Sequence, residues 1–145
     1  MTRQEKYPDT NTFHYYNANP KNRITTDCTI RAMSEATGID YYSMVMKLAE
    51  YHCRHGVDPR DGGVGMNGFL EELGYVKYRQ PRKEDGTKYT GSEFCIKFRN
   101  LFDNIIANIG GNHVTCIKKH LSKLKIWDIW NCSHKCVGNF WVRVK

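Results

Sequence analysis

The character of the chain changes near residue 105, and this change limits the folds that are open to it. Before that point apolar residues recur at helical spacing, most clearly over 41–52, where Asp40 precedes the run and Gly56 follows it. After it come short β-rich runs separated by turn residues, at 105–109, 113–118, 124–130 and 139–144. Helices followed by antiparallel strands predict an α+β fold, with the N-terminal helices packed on a C-terminal sheet.

The segments between the main helices and the sheet carry weaker signals. Residues 57–65 contain four turn-forming glycines and prolines and predict a flexible loop, suited to the rim of a cleft. Further predicted elements are a short strand at 13–16, a helix over 66–73 ended by Gly74, a strand at 75–80 and a helix over 92–101.

Length and composition predict one domain. The 145 residues can bury a real core, and 40% hydrophobic with 12% aromatic residues argue against disorder. We expect a single domain over 1–145, with 1–12 a mobile polar tail and 13–145 the folded part. No stretch resembles a membrane span or a signal peptide, so we expect a cytoplasmic protein with no membrane partner. In that compartment the six cysteines are expected to be reduced thiols.

A cysteine stands at the start of a predicted helix in the segment 25–32, Thr-Thr-Asp-Cys-Thr-Ile-Arg-Ala, and Gly38 ends that helix. Asp27 or Thr26 is suited to cap it, because a short side-chain oxygen can accept from the free N–H groups of the first turn. A helix N-terminus favours negative charge and so favours the thiolate, the reactive form of cysteine. Cys28 is therefore a candidate nucleophile. The alternative is a free cysteine that packs as a small apolar residue.

The hairpin formed by 113–118 and 124–130 brings a histidine and a carboxylate to the same end. With a loop of even length, His113 and Asp128 share a face of the hairpin. A two-residue loop at His120 and Leu121 places His113 directly opposite Asp128. A carboxylate at the end of an apolar strand needs a partner, because burying a lone charge is costly.

Cys28, His113 and Asp128 thus have the chemistry of a nucleophile, its base and an orienting group. The carboxylate holds the imidazole in the useful tautomer, and the imidazole accepts the thiol proton. The alternatives are a surface histidine at the start of a strand and a solvated carboxylate beside a turn.

The blocks Asp-Cys-Thr-Ile-Arg-Ala at 27–32, Gly-Asn-His-Val-Thr at 111–115 and Ile-Trp-Asp-Ile-Trp at 126–130 resemble those of small papain-like cysteine peptidases. The similarity is to the compact branch found in bacteriophages and bacteria, and it spans about residues 17–144. It implies a papain-like fold and thiol-dependent hydrolysis, or acyl transfer, at a peptide or isopeptide bond of a protein or peptide substrate. The same triad also serves other acyl-transfer reactions, so the resemblance does not fix the reaction.

The resemblance also implies an oxyanion hole. In that superfamily a side-chain amide, usually a glutamine six positions before the cysteine, is one donor. Asn22 holds that position here, and Asn19 is a second nearby amide. The backbone N–H of Cys28 is the other implied donor.

Two clusters of cysteine and histidine, at 52–55 and 132–136, have the residue types of a zinc site. Both lack the usual paired short spacings, and Cys132 and Cys136 are four positions apart. We therefore expect no metal and no cofactor.

A non-catalytic role is the alternative function. The formal net charge is +7, with lysines at 118, 119, 123 and 125 and further basic residues at 79, 82 and 83. Tyrosines at 41, 42, 75, 78 and 89 could offer stacking surfaces. This combination is compatible with a basic protein that binds nucleic acid or an acidic protein as an inhibitor, although no nucleic-acid motif is present.

Overall fold

A computed structural model of the chain describes residues 1–60 and 63–143. In these ranges the helices are α1 (Arg3–Lys6), α2 (Cys28–Thr37), α3 (Tyr41–His55), α4 (Gly63–Glu72) and α5 (Gly91–Lys97). The strands are β1 (Phe13–Tyr15), β2 (Tyr75–Tyr78), β3 (Asn104–Ile109), β4 (His113–His120), β5 (Lys123–Asp128) and β6 (Val137–Arg143). The predicted α+β class is confirmed. Across the described residues, no helix is both long and apolar enough to cross a bilayer.

The six strands form one mixed sheet in the order β1-β5-β4-β3-β6-β2. The four C-terminal strands pair antiparallel, as predicted, and β2 adds antiparallel to β6 at one edge. At the other edge β1 pairs parallel with β5, with Phe13 beside Ile126. The prediction of an antiparallel sheet is wrong at this edge, because a pairing between the two ends of the chain leaves no local sequence signal.

The sheet separates two apolar clusters. Helices α2, α3 and α4 cover one face, where Met33, Met44 and Leu70 pack with Ile106 and Trp141 of the sheet. On the opposite face, α5 contributes residues to the second cluster, which includes Phe13, Phe94, Ile105, Ile117 and Ile126. Neighbouring residues such as 105 and 106 point to opposite faces, which is the two-residue period of a strand buried on both sides. The sheet is therefore the central layer, and it fixes the strand ends on which the candidate site stands.

Local signals set the helix ends in the first half of the chain. Asp40 caps α3 by accepting from the N–H groups of Tyr42 and Ser43, as predicted. Gly38 and Gly56 end α2 and α3 in the left-handed region, with φ of 75° and 70°. Helix α5 is shorter than the predicted 92–101. The predicted loop over 57–65 gives way to α4 from Gly63 onward, and its residues 61 and 62 lie outside the described ranges.

The first residues of the chain, predicted to be a tail, have defined contacts in the structure. Thr2 caps α1 by accepting from the N–H of Glu5. The Nε of Arg3 donates to the carbonyl oxygen of Ile129 at 2.6 Å. The segment then leads into β1, so the N-terminal residues lie along the β5 side of the sheet.

Candidate active site

The β4–β5 hairpin carries the predicted base and orienting group. Its turn residues are Leu121 and Ser122, and His120 pairs with Lys123 across it. The predicted turn at His120 and Leu121 is wrong, so His113 does not lie directly opposite Asp128. A shift of two residues preserves the alternation of faces, and the predicted shared face therefore still holds.

His113 and Asp128 nevertheless meet, on a diagonal across the end of the hairpin. The Nε2 of His113 donates to Oδ2 of Asp128 at 2.5 Å. The thiols of Cys28 and Cys132 also lie within interaction range of the His113 ring. The ring of Trp130 packs against the His113 ring, with 5.2 Å between their centroids. The three residues predicted as a triad thus lie together.

The charges at the site favour a thiolate and an imidazolium. Burial alone would raise the pKa of the Cys28 thiol, but hydrogen bonds from His113 and from the backbone N–H of Val114 outweigh burial and lower that pKa below its ordinary value. Burial would lower the pKa of the imidazole, yet hydrogen bonds to Asp128 and to two thiols raise the pKa of His113 to about 11. Each group thus stabilises the charged form of the other.

The Asp128 carboxylate is buried and fully hydrogen-bonded. Besides His113, it accepts from Thr115 Oγ1 at 2.7 Å, from Arg31 Nη1 at 2.9 Å and from the N–H of Ile129 at 2.7 Å. Burial would raise the pKa of Asp128, but the bond and charge of His113 and the charge of Arg31 hold it below its usual range. The carboxylate is therefore ionised and fixed in place.

Asp27 joins this network instead of capping α2. Its side chain makes no capping hydrogen bond, which corrects the predicted role. It accepts from Arg31 Nε at 2.8 Å, from the Tyr41 hydroxyl at 2.6 Å and from Asn19 Nδ2 at 3.0 Å. Because no side chain caps them, the N–H groups of the first turn of α2 remain available to a ligand.

The start of α2 opens into a cavity of about 840 Å³. Cys28 and His113 both line it, together with Trp130 and, on the rim, Asp58 and Arg60. Asp58 and Arg60 belong to the segment 57–65 that was expected to form the rim of a cleft. Cys28 thus lies at the wall of a space large enough for a peptide-sized ligand.

The two amides expected to stabilise an oxyanion lie elsewhere. Asn22 is exposed, accepts from Asn17 Nδ2 at 3.3 Å and is not among the residues that line the cavity. Asn19 is buried, and its Nδ2 donates to Asp27. The polar residues that precede Cys28 in the cavity wall are Thr25, Thr26 and Asp27, and the Asp27 carboxylate is already engaged by Arg31, Tyr41 and Asn19.

Neither of the two cysteine–histidine clusters proposed from sequence gathers as a metal site among the described residues. Cys132 is buried beside His113, whereas Cys136 is exposed. Two other groups bring donor atoms within 4.8 Å of one another: Asp9, His14 and His120; and His113, Asp128 and Cys132. In the second, Asp128 is already occupied by Arg31 and Thr115.

Some of the basic and aromatic residues of the alternative function are engaged within the domain. The Nζ of Lys118 donates to the Glu35 carboxylate and lies 4.2 Å from the centroid of the Trp127 ring. Lys119 donates to the carbonyl of Arg99. Tyr75 is buried, whereas Tyr42 is exposed, as is Tyr78, which stacks on Phe140.

Sequence reasoning missed several residues that support the triad. Arg31 lies four positions after Asp27 on the buried side of α2, and an arginine on an apolar helix face is the signal that could have identified it. Thr115 shares the face of His113, but Arg3 and Cys132 gave no signal, because their positions depend on distant parts of the chain. None of the family models, curated proteins or solved structures compared with this chain matches it.

Proposed function

We propose that the protein is a thiol-dependent hydrolase that attacks a peptide or isopeptide bond through Cys28. The observation that carries this proposal is the juxtaposition of Cys28 with His113 at the wall of a cavity, where His113 is hydrogen-bonded to the buried Asp128. A nucleophile, a base within reach and a group that orients the base are the requirements of covalent acyl transfer.

The layout supports a papain-like arrangement. The nucleophile begins the first long helix, and the base and the orienting carboxylate stand on neighbouring antiparallel strands that α2 packs against. The chain order is Cys28, then His113, then Asp128, as the resemblance implies.

The reaction has two halves. The Cys28 thiolate attacks the carbonyl carbon, and as the C–N bond breaks, the proton on His113 moves to the departing amine. The acyl group is then a thioester on Sγ. Water gives a proton to His113 and attacks this thioester, the C–S bond breaks, and the acid leaves while the thiolate re-forms.

The oxyanion formed in each half needs donors in the cavity wall. The backbone N–H of Cys28 is one, because the first turn of α2 makes no side-chain cap. We propose that a hydroxyl of Thr25 or Thr26 is the second, in place of the amide of Asn22.

The test compares how far substitution of each triad residue lowers turnover. Turnover is measured on fluorescent casein and p-nitrophenyl acetate, and acyl-enzyme by intact mass. Cys28→Ala should abolish both activities, and His113→Ala should be nearly as severe. Asp128→Asn should be milder, with a loss on the order of tenfold to ten-thousandfold.

Each variant is first checked for folding by circular dichroism. Folded His113→Ala and Asp128→Asn proteins with unchanged turnover would show that the triad is wrong. The alternative, a basic protein that binds nucleic acid or an acidic protein, gains no support from the contacts of Lys118 and Lys119. A salt-dependent shift of mixed DNA or RNA together with an inert Cys28 would favour it.

A further inference from the structure

Arg3 is held at the wall of the same cavity. It lines the cavity with Cys28, and its Nε donates to the carbonyl oxygen of Ile129 at 2.6 Å. Its guanidinium also lies 5.4 Å from the centroid of the Tyr7 ring. These contacts restrict a side chain that would otherwise be free to move, and the guanidinium's other donors remain for a ligand.

Arg3 also differs from the other arginines of the cavity wall in its carboxylate partners. Arg31 is neutralised by Asp27 and Asp128, and Arg60 pairs with Asp58 at 2.9 Å. Within residues 1–60 and 63–143, Arg3 has no carboxylate partner within 4.0 Å. Among the described residues, no acidic side chain of the wall neutralises the charge of Arg3, and charges in a recess act strongly on ligands.

The position of Arg3 along the cleft follows from its neighbours. It is bonded to Ile129, and the next residue, Trp130, packs against the His113 ring. In the proposed reaction His113 gives its proton to the departing amine. Arg3 therefore lies on the side of the cavity that receives the leaving group.

We propose that Arg3 forms a carboxylate-binding subsite and selects substrates with a carboxylate on the leaving-group side of the scissile bond. A guanidinium suits this role, because its planar fork binds a carboxylate through two parallel hydrogen bonds. The carboxylate belongs either to an acidic side chain or to the C-terminus of a peptide. The assignment of the subsite to the leaving-group side rests on the proposed function. The presence of a carboxylate-binding subsite does not.

A pair of alkylating reagents tests the subsite without any knowledge of the substrate. Iodoacetate and iodoacetamide alkylate a thiolate by the same displacement of iodide and are similar in size, but only iodoacetate is anionic. The measured quantity is the ratio of their rates at Cys28, by peptide mapping. Arg3→Gln should lower the ratio about fivefold, as expected for the loss of one partly exposed charge contact, and Arg3→Lys should retain part of it. The rate with iodoacetamide should stay the same.

Arg23→Gln is the matched control, because Arg23 is exposed in the loop before α2 and does not line the cavity. It removes the same net charge and should leave the ratio unchanged. An equal fall in Arg23→Gln and Arg3→Gln, or no fall in either, would overturn the subsite. A Cys28 that reacts at an ordinary thiol rate with both reagents would count against the proposed function, whatever the ratio.

Peptide cleavage then separates the two sources of the carboxylate. Internally quenched peptides are compared with acidic or amide side chains on the leaving-group side, and with free or amidated C-termini. Loss of cleavage on amidation alone assigns a terminal carboxylate, and loss on Glu-to-Gln exchange in the peptide assigns an acidic side chain. Cleavage that is indifferent to both, and to Arg3→Gln, contradicts the selection.

Discussion

Arg31 donates from Nη1 to Oδ1 of Asp128 at 2.9 Å, across 97 positions of sequence. The same guanidinium donates from Nε to Asp27, so one buried arginine connects the start of the cysteine helix with the carboxylate that orients His113. The position of Cys28 relative to His113 therefore depends on Arg31, a residue outside the proposed triad.

Replacing Arg31 by methionine should strongly destabilise the fold. It leaves the carboxylates of Asp27 and Asp128 buried without their cationic partner, and breaking such a pair costs about 3–5 kcal/mol. The free energy of unfolding in urea measures the loss. Arg54→Met is the matched control, because Arg54 pairs with Glu72 at the surface and its loss should change little. A similar small effect for both substitutions would show that the buried network is not structural.

The reactivity of Cys28 should extend to lower pH than that of the other five thiols. Its pKa lies below the ordinary value, so its thiolate fraction falls only when the pH drops below that lowered pKa. Burial raises the pKa of Cys95, Cys116 and Cys132, which therefore stay protonated. Iodoacetamide at about pH 6, well under the usual thiol pKa of about 8.5, should label Cys28 first in peptide maps.

Replacement of His113 provides an internal control for the labelling of Cys28. Because the pKa of His113 is raised to about 11, the imidazolium persists through neutral pH, and His113→Ala should move the onset of Cys28 labelling toward alkaline pH. Preferential labelling of any other cysteine at pH 6 would remove the basis for the nucleophile.

Replacing Asn22 by alanine should leave both turnover and alkylation near those of the unchanged protein, within roughly twofold, as for a surface substitution. Asn22 is exposed and does not line the cavity. Removal of a true oxyanion donor lowers turnover by roughly a hundredfold to a thousandfold while the thiolate still reacts. Thr25→Val and Thr26→Val are the comparison, and one of them should show that pattern. A loss of that size in Asn22→Ala would restore the amide expected from sequence.

The hairpin turn offers a test of register. Leu121 and Ser122 have φ of 52° and 66°, the left-handed backbone of a two-residue turn that favours Asn-Gly. The double change Leu121→Asn and Ser122→Gly should raise the free energy of unfolding by about 1 kcal/mol, measured in urea. The shifted pair His120→Asn and Leu121→Gly should instead destabilise, because His120 is part of β4. Stabilisation by the shifted pair would contradict the observed register.

For this hairpin, the sequence was sufficient to predict the shared face but not the position of the turn. Alternation along β4 and β5 was enough to predict that His113 and Asp128 share a face. It could not choose between adjacent turns, because neither pair contains the glycine or asparagine that normally marks a left-handed backbone. The diagonal contact of His113 with Asp128 required the observed register.

Elsewhere too, features set by neighbouring residues could be predicted from the sequence, and contacts between distant residues could not. Gly38, Asp40 and Gly56 set helix ends through bonds to residues a few positions away, and the sequence was sufficient to predict them. The parallel pairing of β1 with β5 and the contacts of Arg31 join distant parts of the chain, and one sequence carries no record of such pairings. Asn22 was placed by analogy with a motif spacing, and the loop before α2 carries it away from the cavity.

The bond between Arg3 and Ile129 spans 126 positions, and β1 pairs with a strand that ends at Asp128. Contacts of such high sequence separation require closure of nearly the whole chain, which slows folding. During synthesis Cys28 leaves the ribosome long before His113 and Asp128, which lie 85 and 100 positions later. The thiol of Cys28 therefore meets these partners only after the β4–β5 hairpin has been released and docked.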